Sequence, residues 1–163
     1  MYKLIIFLLI LSVNIKASAT EPKLVVGIVV DQMRYDYVDR FWGNFKNNGF
    51  KKLINNGYFL KNTHFSYVPT YTGPGHASIF TGTTPSNHGI IANNWYDKNI
   101  KKSVYCAGNG EMHTICNCSE EVEDVASSDG KMSPHHMLTT TIGDEMQLFN
   151  PSSKVIGICL KDR

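Results

Sequence analysis

Leu24-Val25-Val26-Gly27-Ile28-Val29-Val30-Asp31 is the stretch on which the fold turns. An unbroken, mostly β-branched run of this kind predicts a strand buried on both faces, as in parallel sheets. Asp31 stands at its carboxyl end. Beyond it, apolar residues recur at near-helical spacing from Tyr35 to Asn56, and Gly43 and Gly49 are expected to break that pattern into two pieces. Tyr58 to Tyr67 reads as a second strand and Lys154 to Leu160 as a third. Between them a helix is expected from about Pro74 to Gly82, because proline suits a first turn. Thr83 to Gly89 is turn-rich, and Asn93 to Cys106 reads as a small hairpin. Ala107 to Lys131 is polar and glycine-containing, a surface excursion. Ser133-Pro134 predicts another helix start, with Met137, Leu138, Thr141, Ile142, Met146 and Phe149 on one face and Pro151 as its end. Strands alternating with helices define an α/β chain with a largely parallel sheet flanked by helices.

With 163 residues and a formal charge of +2, the chain suits one domain and carries no charge field for nucleic acid or an anionic membrane. Its amino-terminal end reads apart from that domain. Lys3, the apolar run Leu4 to Val13 and Ala17-Ser18-Ala19 together spell a secretory signal peptide over residues 1–19, leaving residues 20–163 as the folded part. The apolar run is short for a bilayer span, so no stable membrane anchor is expected, and the mature chain is expected in the periplasm or outside the cell. Export permits disulfides. Cys106 is expected to pair with Cys116 or Cys118, while Cys159, in an apolar run, reads as a buried free thiol.

Ligands of open α/β sheets collect at the carboxyl ends of strands, where Asp31 lies. Alone, that residue reads rather as a helix cap or a solvated turn residue. Pro69-Thr70-Tyr71-Thr72-Gly73-Pro74-Gly75-His76-Ala77-Ser78 is more telling. It puts Thr72 at a helix N-terminus beside glycines, where an anion can approach the backbone and the free N–H groups favour phosphate. A threonine hydroxyl needs a base or a metal to become a nucleophile. The chemistry therefore predicts a metal-bound Thr72 with Asp31 as a neighbouring ligand; the alternative is a threonine that merely caps the helix.

Val25 to Arg34, Pro69 to Ser78 and His88-Gly89-Ile90-Ile91-Ala92-Asn93-Asn94-Trp95-Tyr96-Asp97 together resemble three ordered motifs of one group of enzymes. These belong to the phosphodiesterase/nucleotide pyrophosphatase branch of the alkaline phosphatase superfamily. Within it the chain is most similar to periplasmic zinc-dependent alkaline phosphatases with a threonine nucleophile, over about Leu24 to Arg163.

The resemblance implies an alkaline-phosphatase-like core and a two-zinc (Zn2+) site. Asp31 and Thr72 would bind one zinc, and Thr72 would attack phosphorus. Asn93 and the Gly73 amide would bind a phosphoryl oxygen. Lys161 and Arg163 resemble the Lys-x-Arg pair that marks monoesterases. A monoester dianion has one more charged oxygen than a diester, and cations placed there favour it. Residues i and i+2 converge only on an extended segment, which the preceding strand would supply.

None of His64, His76, His88, His113, His135 and His136 matches a zinc-ligand position of the family, and Asp36 and Asp39 read as solvated helix charges. The family's remaining ligands come from Asp-x-x-x-His, Asp-His and a later His, so the chain is expected to be an N-terminal piece, inactive alone. A monomer acting on small phosphate esters is expected. The rival readings are a phosphodiesterase or nucleotide pyrophosphatase, and a non-catalytic exported phosphate-binding fragment.

Overall fold

The computed structural model describes residues 22–112 and 130–163. The expected signal peptide lies outside them, as do His113, Cys116 and Cys118. The chain divides into two units, Met1–Arg40 and Phe41–Arg163.

In the first unit, residues 24–30 are not a strand; they form no ladder with any described residue. Leu24 is 79% and Ile28 77% exposed. A strand buried on both faces needs a hydrogen-bonded neighbour on each edge and a layer on each face, and the described residues provide neither. Asp31 and Gln32 form a turn, with Gln32 in the left-handed region at φ 56°. Helix α1, Tyr37–Arg40, buries Val38. Asp36 pairs with Arg34 at 2.9 Å, in the open, where such a pair adds little stability.

In the second unit, the helical pattern expected up to Asn56 is broken as its glycines suggest. A 3-10 turn covers Trp42–Asn44, and α2, Phe50–Asn56, begins after Gly49, whose φ of 66° suits glycine. Phe45 and Phe50 stack with centroids 5.0 Å apart, bridging the gap. Tyr58 to Tyr67 is not a strand, because a turn at Lys61-Asn62 interrupts it and no described residue pairs with it.

Helix α3, Thr72–Thr81, starts two residues before the expected Pro74 and ends at Gly82, a left-handed cap whose N–H donates to the Ser78 carbonyl at 2.9 Å. Its buried face is Gly73, Pro74, Ala77 and Ser78. Helix α4, Pro85–His88, follows at once with proline in its first turn. Strands β1, Asn94–Asp97, and β2, Lys102–Tyr105, then form the expected hairpin. They pair antiparallel, Asn94 opposite Tyr105 and Asp97 opposite Lys102. Asp97 shapes the turn: its carboxylate accepts the Asn99 N–H at 2.7 Å. This is the described sheet; the largely parallel one is not formed among the described residues.

Ser133-Pro134 does not start a helix. Ser133 Oγ accepts the His135 N–H at 3.2 Å, but the Leu138 N–H then turns away to the His88 carbonyl at 3.0 Å. Helix α5, Ile142–Phe149, begins instead at Thr141. Thr141 and Asp144 form a reciprocal capping box, with the Thr141 N–H donating to Asp144 Oδ2 at 2.7 Å. That bond, more than any other influence, holds the Asp144 carboxyl below its ordinary range.

Residues 154–160 are not a strand and form no ladder with any described residue, with Ile158 94% exposed. Cys159 there is an exposed free thiol, not a buried one. Cys106 is a buried free thiol rather than half of a disulfide; it packs with Ala77 and Ile90 in the core, against Trp95, Tyr105, Ala107 and Met137. No helix of the described residues is long and apolar enough to cross a membrane.

Candidate active site

Thr72 is the first residue of α3, on a helix end whose leading N–H groups have no intrahelical acceptor. The helix dipole makes that end favourable for anions. Four residues on, His76 Nδ1 lies 2.8 Å from the Thr72 carbonyl oxygen. A carbonyl only accepts, so Nδ1 is the donor in this contact. The Tyr67 hydroxyl donates to the Pro74 carbonyl at 3.2 Å, tying the approach segment to the first turn.

The hairpin delivers Asn93 to this helix end. Asn93 lies one residue before β1, and its carbonyl accepts the Cys106 N–H at 2.9 Å, which extends the ladder by one pair. Asn93 Oδ1 then accepts the backbone N–H of Gly73 at 2.8 Å. A side-chain carbonyl there fixes the amide: oxygen toward Gly73, NH2 the other way. Gly73 is tightly enclosed. A Cβ on it would lie 3.1 Å from Cys106 Sγ and 3.2 Å from Asn93 Oδ1. Burial pushes the Cys106 thiol pKa up, so this sulfur is an uncharged packing atom.

Tyr105, beside Cys106, holds the other arm. Its hydroxyl accepts a hydrogen bond from Arg163 Nη1 and donates one to Asp162 Oδ1 at 2.9 Å. The Arg163 guanidinium also lies 5.4 Å from the Tyr105 ring centroid. Burial raises the Tyr105 pKa, so the phenol keeps its proton. Arg163 Nε is shielded from solvent and has no hydrogen-bond partner among the described residues, an arrangement that costs about 1–3 kcal/mol unless an acceptor arrives. Lys161 is exposed at a bend, so the extended run expected to aim it with Arg163 is interrupted.

Behind the site, His88 is fully buried. Its Nδ1 accepts the Ile90 N–H at 3.1 Å, which leaves Nε2–H to donate to Ser78 Oγ at 2.9 Å. Burial lowers the His88 pKa, so the ring is neutral and pins α3 to α4.

Of the residues expected from the sequence, Gly73 and Asn93 meet directly, and Thr72 is covalently next to Gly73. Asp31 belongs to the first unit. The Asp31 carboxylate and, in the second unit, the Thr72 hydroxyl are each an oxygen donor of a kind zinc accepts, and neither unit by itself offers the roughly four ligands zinc takes among the described residues. No group of three or more His, Cys, Asp or Glu suited to a metal occurs among the described residues. Sequence reasoning missed Tyr105, Cys106 and the Ser78–His88 pair. The only signal was hairpin register, which puts Tyr105 and Cys106 opposite Asn94 and Asn93.

A family model for type I phosphodiesterase/nucleotide pyrophosphatase matches residues 25–146. Over 147 residues the chain is 47% identical to the alkaline phosphatase PafA of Elizabethkingia meningoseptica, covering 90% of this chain and 26% of that protein. It is 45% identical over 147 residues to the alkaline phosphatase PhoV of Synechococcus elongatus, covering 90% of this chain and 25% of that protein. A crystal structure of wild-type PafA matches with a TM-score of 0.79 at 45% identity, covering 89% of this chain and 27% of that one. The chain thus spans about a quarter of the length of the curated relatives it matches, and shares the PafA fold over the matched span. It belongs to the type I phosphodiesterase/nucleotide pyrophosphatase family.

Proposed function

We propose that this chain is the N-terminal part of an exported hydrolase of small phosphate monoesters, with Thr72 as nucleophile. The observation that carries the reading is the Gly73 N–H bond to Asn93 Oδ1, which turns an amide NH2 outward beside the first residue of α3. An NH2 held there suits a phosphoryl oxygen as it gains charge. The alkaline phosphatases at 47% and 45% identity support the same class of reaction.

In this reading the Thr72 oxygen attacks phosphorus, the bond from phosphorus to the ester oxygen breaks, and the alcohol leaves with a proton. Water then attacks the phospho-threonine, releasing inorganic phosphate and restoring the hydroxyl. Asn93 binds a non-bridging oxygen. Because the Gly73 N–H is engaged by Asn93, Gly73 serves the phosphoryl group chiefly by orienting that side chain. Arg163 and Lys161 bind the additional oxygen of a monoester. Asp31 and Thr72 would contribute to a two-zinc site completed by residues outside this chain. Zinc, when bound, supplies an ionised oxygen acid at neutral pH and positive charge for the leaving oxygen. The exposed apolar runs at residues 24–30 and 154–160 become central strands of a largely parallel sheet, paired with the rest of the protein.

The test is the complete gene product assayed with p-nitrophenyl phosphate and bis-p-nitrophenyl phosphate. A higher kcat/KM for the monoester is expected. The family's name favours one second reading, a phosphodiesterase or nucleotide pyrophosphatase, which a strong diester preference would establish instead.

A further inference from the structure

We propose that Tyr105 is a positioning residue for Arg163 and, through it, sets the preference for monoesters over diesters. The inference rests on the monoesterase reading above and adds a residue to it. Tyr105 closes β2 and faces Asn94 in the ladder, while the next residue, Cys106, bonds Asn93 through its backbone. One hairpin end therefore carries both arms of the candidate site: Asn93 on one strand, and the phenol that holds Arg163 on the other.

The way Arg163 is held matters. Tyr105 engages Nη1, and its ring centroid lies 5.4 Å from the guanidinium carbon. Of the two edges of the guanidinium whose paired N–H groups point the same way, Tyr105 bonds at Nη1 and leaves the Nε and Nη2 edge unused. Nε has no partner among the described residues. That edge is a two-toothed donor suited to a pair of phosphoryl oxygens. Asp162 accepts the phenol proton, so the hydroxyl lone pairs are turned toward Arg163 and the phenol does not compete for phosphate. Without the hydroxyl, the guanidinium keeps its charge and its ring contact but loses the bond that orients the fork.

Tyr105→Phe in the complete gene product isolates this role, because the ring and its packing remain. Monoester kcat/KM is expected to fall about ten- to a hundredfold, the range for losing one hydrogen bond to a charged group. Inhibition by inorganic phosphate should weaken in parallel, while the diester rate and the thermal midpoint stay unchanged. In an Arg163→Ala background, Tyr105→Phe should add no further loss. Equal losses on both esters, or a full further loss in the Arg163→Ala background, would mean Tyr105 only supports the fold, and the proposal falls. A harmless Tyr105→Phe beside a damaging Arg163→Ala overturns the positioning role alone. An Arg163→Ala enzyme with undiminished monoester activity overturns both this proposal and the monoester role of Arg163.

Discussion

Asn93 Oδ1 accepts the backbone N–H of Gly73 across 2.8 Å, joining the end of the hairpin to the second residue of α3. The bond does two things at once. It satisfies one of the open N–H groups at the helix start, and it decides which end of the Asn93 amide faces away. Local structure, packing and the proposed chemistry meet in this one contact.

Asn93→Ala removes both functions, so kcat/KM for p-nitrophenyl phosphate should fall about 10²–10³-fold, as for loss of one oxyanion donor. Asn93→Asp should be worse. It keeps an acceptor for Gly73 but replaces the outward NH2 with a carboxylate oxygen that repels phosphate. An aspartate variant more active than the alanine variant would contradict the assigned amide orientation.

Gly73→Ala tests the closeness of the three-way contact. The added methyl would press on Cys106 Sγ at 3.1 Å and Asn93 Oδ1 at 3.2 Å, so these groups must shift. Overpacking of this sort costs about 1–3 kcal/mol. Both the thermal midpoint and monoester activity should drop, and Cys106→Ala should restore part of each by opening space. Failure of that rescue would show that the sulfur is not the obstacle.

These contacts divide into what sequence can and cannot disclose. The hairpin was legible because its signals are local: a polar turn at Asp97 to Lys101 between short alternating runs. Helix α3 was legible from Pro74 and Gly82, although its first residue is Thr72. The helix expected from Ser133 failed because Thr141 and Asp144 make a stronger start, and because the Leu138 N–H goes to His88, a partner distant in sequence. The apolar runs at residues 24–30 and 154–160 carry strand-like composition, but a ladder needs a partner, and none lies among the described residues. Thr72, Gly73 and Asn93 were singled out through motifs. Tyr105 was not, since its role exists only once register sets it beside Asn93 and Arg163 comes to meet it.

The buried His88 gives a pH dependence with a definite sign. Its folded pKa is lowered from 6.5 by burial, so below that pH the unfolded chain binds the proton more readily. Stability from this residue is complete above about pH 6.5 and is lost as pH falls toward the lowered folded value. In thermal unfolding between pH 7.5 and pH 5, chosen to straddle the ordinary histidine range of about 6.5, the wild type should lose more stability than His88→Gln. Parallel pH profiles for the two proteins would rule out His88 as the source.

Metal removal probes Asp31. Dialysis of the complete gene product against a chelator should abolish monoester turnover, with zinc restoring it. Asp31→Asn should raise the zinc concentration needed for half-maximal activity. Full activity after exhaustive chelation would remove metal from the account.

Whether Thr72 is the nucleophile is decided by acid quench during turnover of a phosphate monoester by the complete gene product, followed by mass spectrometry of its peptides. Phosphate is expected on Thr72, retained in Thr72→Ser at the same position and absent from an inactive Thr72→Ala. Phosphate trapped on another residue, or undiminished turnover by Thr72→Ala, would contradict that role for Thr72.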